Sequence, residues 1–330
     1  MLITSGQNLQ FFFTALHSSW GLAYGATPVV YDKICTTYPV GTEAWVSGWI
    51  GMYDKVREWT GSRQTAQPAP QTYRVEIQNF EQTKAIDKFK LQDDAVGAPG
   101  IYAQNVTNMA IQAKKWPDYQ VRDLLQAAGS QASTQRQLSI DGLSHWNAAH
   151  PVDYYDSSKG TYCTDFRGGV SVGGITVGGA MGNNTYSTLW NEFASRKSES
   201  GEALGVIADT TLIPPQLSVE TRTVLTADFF AAPTLGGMTG QVGAASNVLK
   251  GSSDMLMWPD LAASPTTWFM LMLGGPVKPF SWLLRQAPDF TYRINENDPV
   301  VFDTHTYLYG SVSRGAPAWA FPWLSAISGP

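Results

Sequence analysis

The stretch from Gly41 to Ala128 constrains the rest of the chain more than any other. It reads as a long β-ribbon running directly into a helix. The outgoing arm, Thr42–Met52, carries apolar residues on both faces, among them Trp45, Val46, Trp49 and Ile50. The returning arm starts near Thr72, where Tyr73, Val75 and Ile77 alternate with Arg74, Glu76 and Gln78. That period of two marks a half-buried strand. Between the arms, Thr60–Gln71 is built from Thr, Gly, Ser, Gln and two prolines and suits an exposed loop tip. The arms exceed the roughly 5–6 residues of an ordinary strand, and a lone two-stranded ribbon is marginal in water. It cannot bury Trp45, Trp49 and Trp59 by itself. Either the remainder of the chain folds over it or a second copy does, and the second is expected here.

The chain has 330 residues, room for about two domains. At that size it buries roughly three-quarters of its unfolded surface and needs no disulfide or metal to be stable. Charged residues make up 15%, against about 25% in a typical soluble domain, while 12 Trp, 14 Tyr and 14 Phe are present. Two readings fit this: much of the surface meets protein, or the core is simply large. A net charge of −5 argues against tight nucleic-acid binding, which needs clustered Lys and Arg. Cys35 and Cys163 are too few for a secreted disulfide framework and fit a reducing compartment. No charged signal-peptide start is evident, and the apolar run Trp268–Leu273 falls far short of the ~20 residues that span a bilayer. A soluble protein made in the cytoplasm is expected.

Residues 1–40 look like an arm. Leu9, Phe13, Leu16 and Trp20 fall at helical spacing, either as core packing or as a partner-binding face, before Gly21, Gly25 and Pro28 break the helix. After the ribbon, Thr83–Phe89 is strand-like, and Asp93-Asp94 suit a helix N-terminus. Ile101, Val106, Met109 or Ala110, and Ala113 mark the buried face of that helix, Pro117 breaks or kinks it, and Gly129 marks its stop. Gly168–Gly179 repeats a glycine pair every five residues and reads as flexible or tightly packed strand-and-turn, not as a phosphate cradle. Val206–Ala208 with Leu212–Pro215 reads as a buried strand ending at proline, and Leu217–Leu225 as a helix. Residues 226–265 read as a surface excursion. Met270–Leu273, Asp289–Ile294, Val300–Asp303 and Thr306–Ser313 read as strands, with a polar turn at Asn295–Pro299.

No catalytic constellation stands out. His145 and His150 are five apart, not the i, i+4 spacing of a helical zinc pair, and a His145/His150/Cys163 metal site is a minor alternative. No G-x-S-x-G, Walker loop, H-E-x-x-H or C-x-x-C occurs. A structural protein, without cofactor or metal, is expected over an enzyme.

Gly48-Trp49-Ile50-Gly51, Val56-Arg57-Glu58-Trp59-x-Gly61-x-Arg63, Tyr73-x-Val75 and Asn79-Phe80-Glu81 together resemble the major head subunits of Mu-like bacteriophages. So do Lys88-Phe89-x-Leu91-x-Asp93-Asp94 leading to Gly100-Ile101-Tyr102, and His150-Pro151 after Asp141-Gly142. Lys278-Pro279-Phe280, Arg285, Asp303 and Tyr309-Gly310-x-x-x-Arg314-Gly315 follow in order. The resemblance implies an α+β, HK97-type capsid fold. It places an N-terminal arm at 1–40, an extended E-loop at 41–90 and a P-domain spine helix at 91–130. An A-domain follows at 131–275, and P-domain strands return at 276–330. It implies hexamers and pentamers of an icosahedral virion shell around double-stranded DNA, with scaffold and portal proteins and a decoration protein as further partners. No internal scaffolding segment is evident. Subunit contacts are then expected at Trp45, Trp49, Trp59, Arg63, Phe13 and Trp20. An encapsulin-like compartment with enzyme cargo is the alternative, and a monomeric hydrolase or carbohydrate binder a more distant one.

Overall fold

A computed structural model describes residues 6–48, 72–93, 98–127, 138–154, 156–231 and 244–330. The chain opens with helix α1 (Gly6–Ala26), a single turn α2 (Tyr31–Ile34) and strand β1 (Cys35–Pro39). The ribbon base follows as β2 (Ala44–Gly48) and β3 (Thr72–Glu76), then β4 (Gln78–Asp87), α3 (Lys88–Asp93) and the 30-residue α4 (Ala98–Ala127). A mixed region carries β5 (His150–Pro151), β6 (Thr161–Tyr162), β7 (Asp165–Arg167), β8 (Val170–Val172), β9 (Ile175–Val177) and α5 (Asn183–Ala194). Next come β10 (Thr210–Ile213), α6 (Ser218–Leu225), β11 (Phe229–Ala231), β12 (Ala244–Ser246), β13 (Asp254–Met257) and β14 (Trp268–Leu271). The chain closes with two 14-residue strands, β15 (Phe280–Arg293) and β16 (Thr306–Trp319), flanking α7 (Pro299–Thr304), and with β17 (Ser325–Gly329).

Two sheets organise the body. One has the order β1-β15-β16-β4, with β1 parallel to β15 and the other pairs antiparallel. The other has the order β13-β10-β14-β17-β7. The segment 41–90, expected as one ribbon, therefore divides at Ile77: β2 and β3 pair with each other, whereas β4 is an edge strand of the first sheet. The final strand, expected to return with 276–330, crosses instead into the second sheet, between β14 and β7.

Leu9, Phe13, Leu16 and Trp20 of α1 pack with Val106, Met109, Ala110 and Ala113 of α4 in one buried cluster over Phe290, Tyr307 and Tyr309. The stripe is thus core packing. Gly21 and Gly25 do not end the helix. Each costs about 1 kcal/mol against alanine, and the Trp20–Tyr24 stack, 4.8 Å between centroids, holds the turn in place. Nor does Pro117 break α4, which continues to Ala127. Its neighbour Asp118 accepts amide hydrogen bonds from Val30 and Tyr31, fastening α2 to α4.

Several expectations are overturned. Asp93 closes α3, a short helix before α4 that Asp87 caps by accepting from the amides of Phe89 and Lys90, and so does not stand at the start of α4. Asp94 and Gly129 lie outside the described residues. Val300–Asp303 is helix α7, because Asp298 accepts from the Val300 amide and Pro299 opens the first turn. Val206–Ala208 is not strand. The excursion at 226–265 is partly core: β13 pairs with β10, and Trp258 and Leu261 are buried. The strand-and-turn expected at 168–179 is present, however, as a hairpin of β8 and β9, with positive φ at both Gly173 (59°) and Gly174 (84°), as a two-residue turn of this hand requires.

The sheets are joined by a buried polar cluster at the end of the first. His145 stacks on Trp319 with centroids 4.0 Å apart, and its Nε2 lies 2.8 Å from Ser325 Oγ on β17. His150 bridges Asp141 and the His145 carbonyl. Arg196 donates to the carbonyls of Trp323, Ser325 and Cys163, with its guanidinium over the Phe193 ring. Burial brings the Arg196 guanidinium down to about 10 and pushes the Cys163 thiol up to about 11. The histidines and Cys163 are thus engaged in holding loops and strands together.

Two predictions follow from these placements. Burial, then the neighbouring His150 and Arg196, hold His145 well below the ordinary histidine value. Its contribution to stability is therefore intact above about pH 6.5 and shrinks as pH falls, since only the unfolded chain takes up the proton. The urea midpoint should drop less between pH 7 and pH 5 in His145→Gln than in the parent; equal drops would refute this. At Gly178, φ is +79° and an added Cβ would sit 2.4 Å from the Phe166 Cβ, whereas Gly173 faces open space. Gly178→Ala should cost about 2–4 kcal/mol by denaturant unfolding, and Gly173→Ala only about 1 kcal/mol.

Candidate assembly surfaces

The ribbon has an inner and an outer face. Trp45 pairs with Val75 and Ser47 with Tyr73, which puts these residues and Ile77 on the inner side. Tyr73, Val75 and Ile77 are buried in the main core. Trp45 is half-buried there, stacked at 6.2 Å on Tyr38 and edge-on at 6.1 Å to Tyr73. Tyr73 Oη accepts from the Trp319 amide at 3.1 Å, and burial holds its phenol well above its ordinary value. The base of the ribbon is thus rooted in its own molecule through Tyr73, Val75 and Ile77, and Tyr73 covers Trp45 in part. The outer side carries Val46, 56% exposed, beside the surface ion pair Arg74–Glu76.

Gly48 and Thr72 are paired partners, with 23 residues of sequence between them. Trp49, Trp59 and Arg63 belong to that stretch and lie outside the described residues.

The other two expected contact residues, Phe13 and Trp20, are buried within the chain at 0% and 6% exposure and have little surface left to offer. The exposed apolar side chains of α1 are instead Phe11 and Leu22. At the far end of the first sheet, Phe89 of α3 and Phe302 of α7 are also exposed, with Phe89 against His305. Sequence reasoning passed over all four. Phe11 and Leu22 carry a readable signal, being eleven residues apart and so on one helical face; Phe89 and Phe302 lie on two separate short helices that share no spacing. Among the described residues, no group of three or more His, Cys, Asp or Glu could hold a metal ion. No helix there is long and apolar enough to cross a membrane. Among the described residues, the surface offers apolar side chains on α1, α3 and α7.

The same architecture occurs in two solved particles of bacteriophage JBD30. The procapsid subunit matches with a TM-score of 0.55 at 21% identity, over 98% of this chain and 75% of that one. The capsid subunit matches with a TM-score of 0.51 at 15% identity, over 93% and 66%. The fold is thus the HK97-like α+β capsid fold. The major capsid protein of Escherichia phage Mu is 28% identical over 151 residues, 44% of this chain and 46% of that protein, so the match spans about half the length of that relative. The family model for the Mu-like prophage major head subunit gpT matches residues 9–174 and 251–328. With most of its length matched, including the ribbon, α4 and the closing strands, the chain belongs to the Mu-like major head subunit family.

Proposed function

We propose that copies of this chain assemble as hexamers and pentamers into the icosahedral shell of a tailed phage, around its double-stranded DNA. The observation that carries this is the ribbon. Its base is rooted in the core while its outer face is left uncovered at Val46. An anchored projection of this kind reaches a neighbour without costing the subunit its own fold. The role is structural, not catalytic, in keeping with membership of a head-subunit family.

In this reading residues 1–40 are the N-terminal arm, folded along α4. The E-loop is the ribbon, from 41 to Ile77, and β4 goes with the P-domain. Helix α4, within 91–130, is the spine helix. The A-domain spans 131–275 and borrows β17 from the C-terminal segment, while β15, α7 and β16 complete the P-domain. The protein's place is the virion, after assembly in the host cytoplasm with scaffold and portal proteins; a decoration protein is a further partner. With a net charge of −5 the subunit encloses DNA without gripping it in a sequence-specific way.

Negative-stain microscopy of the purified protein tests the reading. Closed shells or rings of capsomers are expected as concentration rises, and a monomer at every concentration would contradict it. Shells that carry an enzyme cargo from the host would point to a storage compartment instead. A second prediction separates the two faces of the ribbon. Trp45→Ala should cost the subunit about 2 kcal/mol, less than the roughly 3–5 kcal/mol of a fully buried ring. Val46→Asp should leave subunit stability within about 0.5 kcal/mol and still prevent shell formation. Normal shells from Val46→Asp would show that the outer face has no assembly role.

A further inference from the structure

Helix α1 contains no Asp, Glu, Lys or Arg in 21 residues. One face is used up against α4 and the first sheet. The opposite face is open: Phe11 is 73% exposed, Leu22 is 77% exposed, and Ala15 and Ser18 between them are exposed. These four residues stand at i, i+4, i+7 and i+11, one straight stripe along the helix. An exposed helix with no charge on its outward side is unusual for a surface left in water. A face of this kind suits a neutral partner.

The order of side chains along the stripe identifies the cover. It runs large, small, small, large, and reads the same from either end about a midpoint between Leu16 and His17. Two such helices laid antiparallel bring Phe11 of each beside Leu22 of the other, with Ala15 facing Ser18 at the centre. Small residues at the crossing let the axes approach closely, and large ones at the ends fill the flanks. A self-contact also sets the two copies' net charges against each other, which penalises a face charged with one sign. This face has no charge to repel. We infer that α1 pairs with α1 of a second copy, antiparallel across a two-fold axis, through Phe11, Ala15, Ser18 and Leu22. The inference rests on shell assembly and adds to it a contact independent of the ribbon.

Disulfide trapping in assembled particles tests it. Both native cysteines, Cys35 and Cys163, are buried, so oxidised parent shells should run as monomer on a non-reducing gel. Phe11→Cys with Leu22→Cys in one chain should give mostly cross-linked dimer. The two positions are about 16 Å apart along one helix, so no bond can form within a chain. Either single variant should stay monomeric, because each position faces the other and not itself. Cross-linking by the single variants would mean a parallel pairing and overturn the inference; so would shells in which the double variant does not cross-link. If that variant fails to assemble, Ala15→Cys and Ser18→Cys chains, co-expressed, decide the case with far smaller changes: cross-linked dimer supports the pairing, and its absence overturns it. Failure of the parent protein to form shells would count against the proposed function instead.

Discussion

The packing around Trp319 is the contact on which the rest of the molecule depends. Its ring is fully buried, with His145 stacked on one face and Phe280 and Trp146 edge-on at 5.7 Å. Its amide donates to Tyr73 of the ribbon. Trp146 reaches the C-terminal turn of α4 by donating to the Leu125 carbonyl, and His145 reaches β17 through Ser325. One residue at the end of β16 thus touches, directly or through one neighbour, the ribbon, the long helix and both sheets. Removing a fully buried tryptophan ring costs roughly 3–5 kcal/mol in general, and here the loss would fall on four elements together.

That arrangement explains how a projecting ribbon coexists with a stable subunit. Tyr73, Val75 and Ile77 are ordinary core residues, so the first turns of the ribbon are folded on the subunit's own account. In the proposed shell, the outward side at Val46 and the outward stripe of α1 are free for neighbours, since both are exposed and outside the core. The crossing of β17 from one sheet to the other serves the same end. Ser325–Gly329, a few residues after β16, lies between β14 and β7 and so ties the end of the first sheet's strand order into the middle of the second. Forces applied through the ribbon therefore reach a single connected body.

Much of this was legible in the sequence, for reasons tied to particular residues. The alternation Tyr73, Val75, Ile77 and the spacing Leu9, Phe13, Leu16, Trp20 are strong periodic signals, and both sets are buried, although the spacing alone left core packing and a partner-binding face open for the second. Other parts were hidden. Val300-Val301-Phe302 looks like strand because β-branched and aromatic residues dominate, yet Asp298 and Pro299 outweigh that local preference and start a helix. β17 shows no alternation, since all five of its small or aliphatic residues are buried and both faces are covered. The cover over Trp45 comes in part from Tyr38, and the cluster as a whole from residues as far away as Trp319, a proximity that no local pattern encodes. The same holds for His145, whose partner Ser325 lies 180 residues on.

Amide hydrogen exchange on the unassembled subunit measures most directly whether the ribbon base is part of the core. If Trp319 and Tyr73 bind the two together, the paired amides of Ala44–Gly48 and Thr72–Glu76 exchange as slowly as those of β15 and β16, through global unfolding. Exchange of the ribbon base at loop-like rates, while β15 and β16 stay protected, would show that the projection is not rooted in the subunit and that neighbours must fold it.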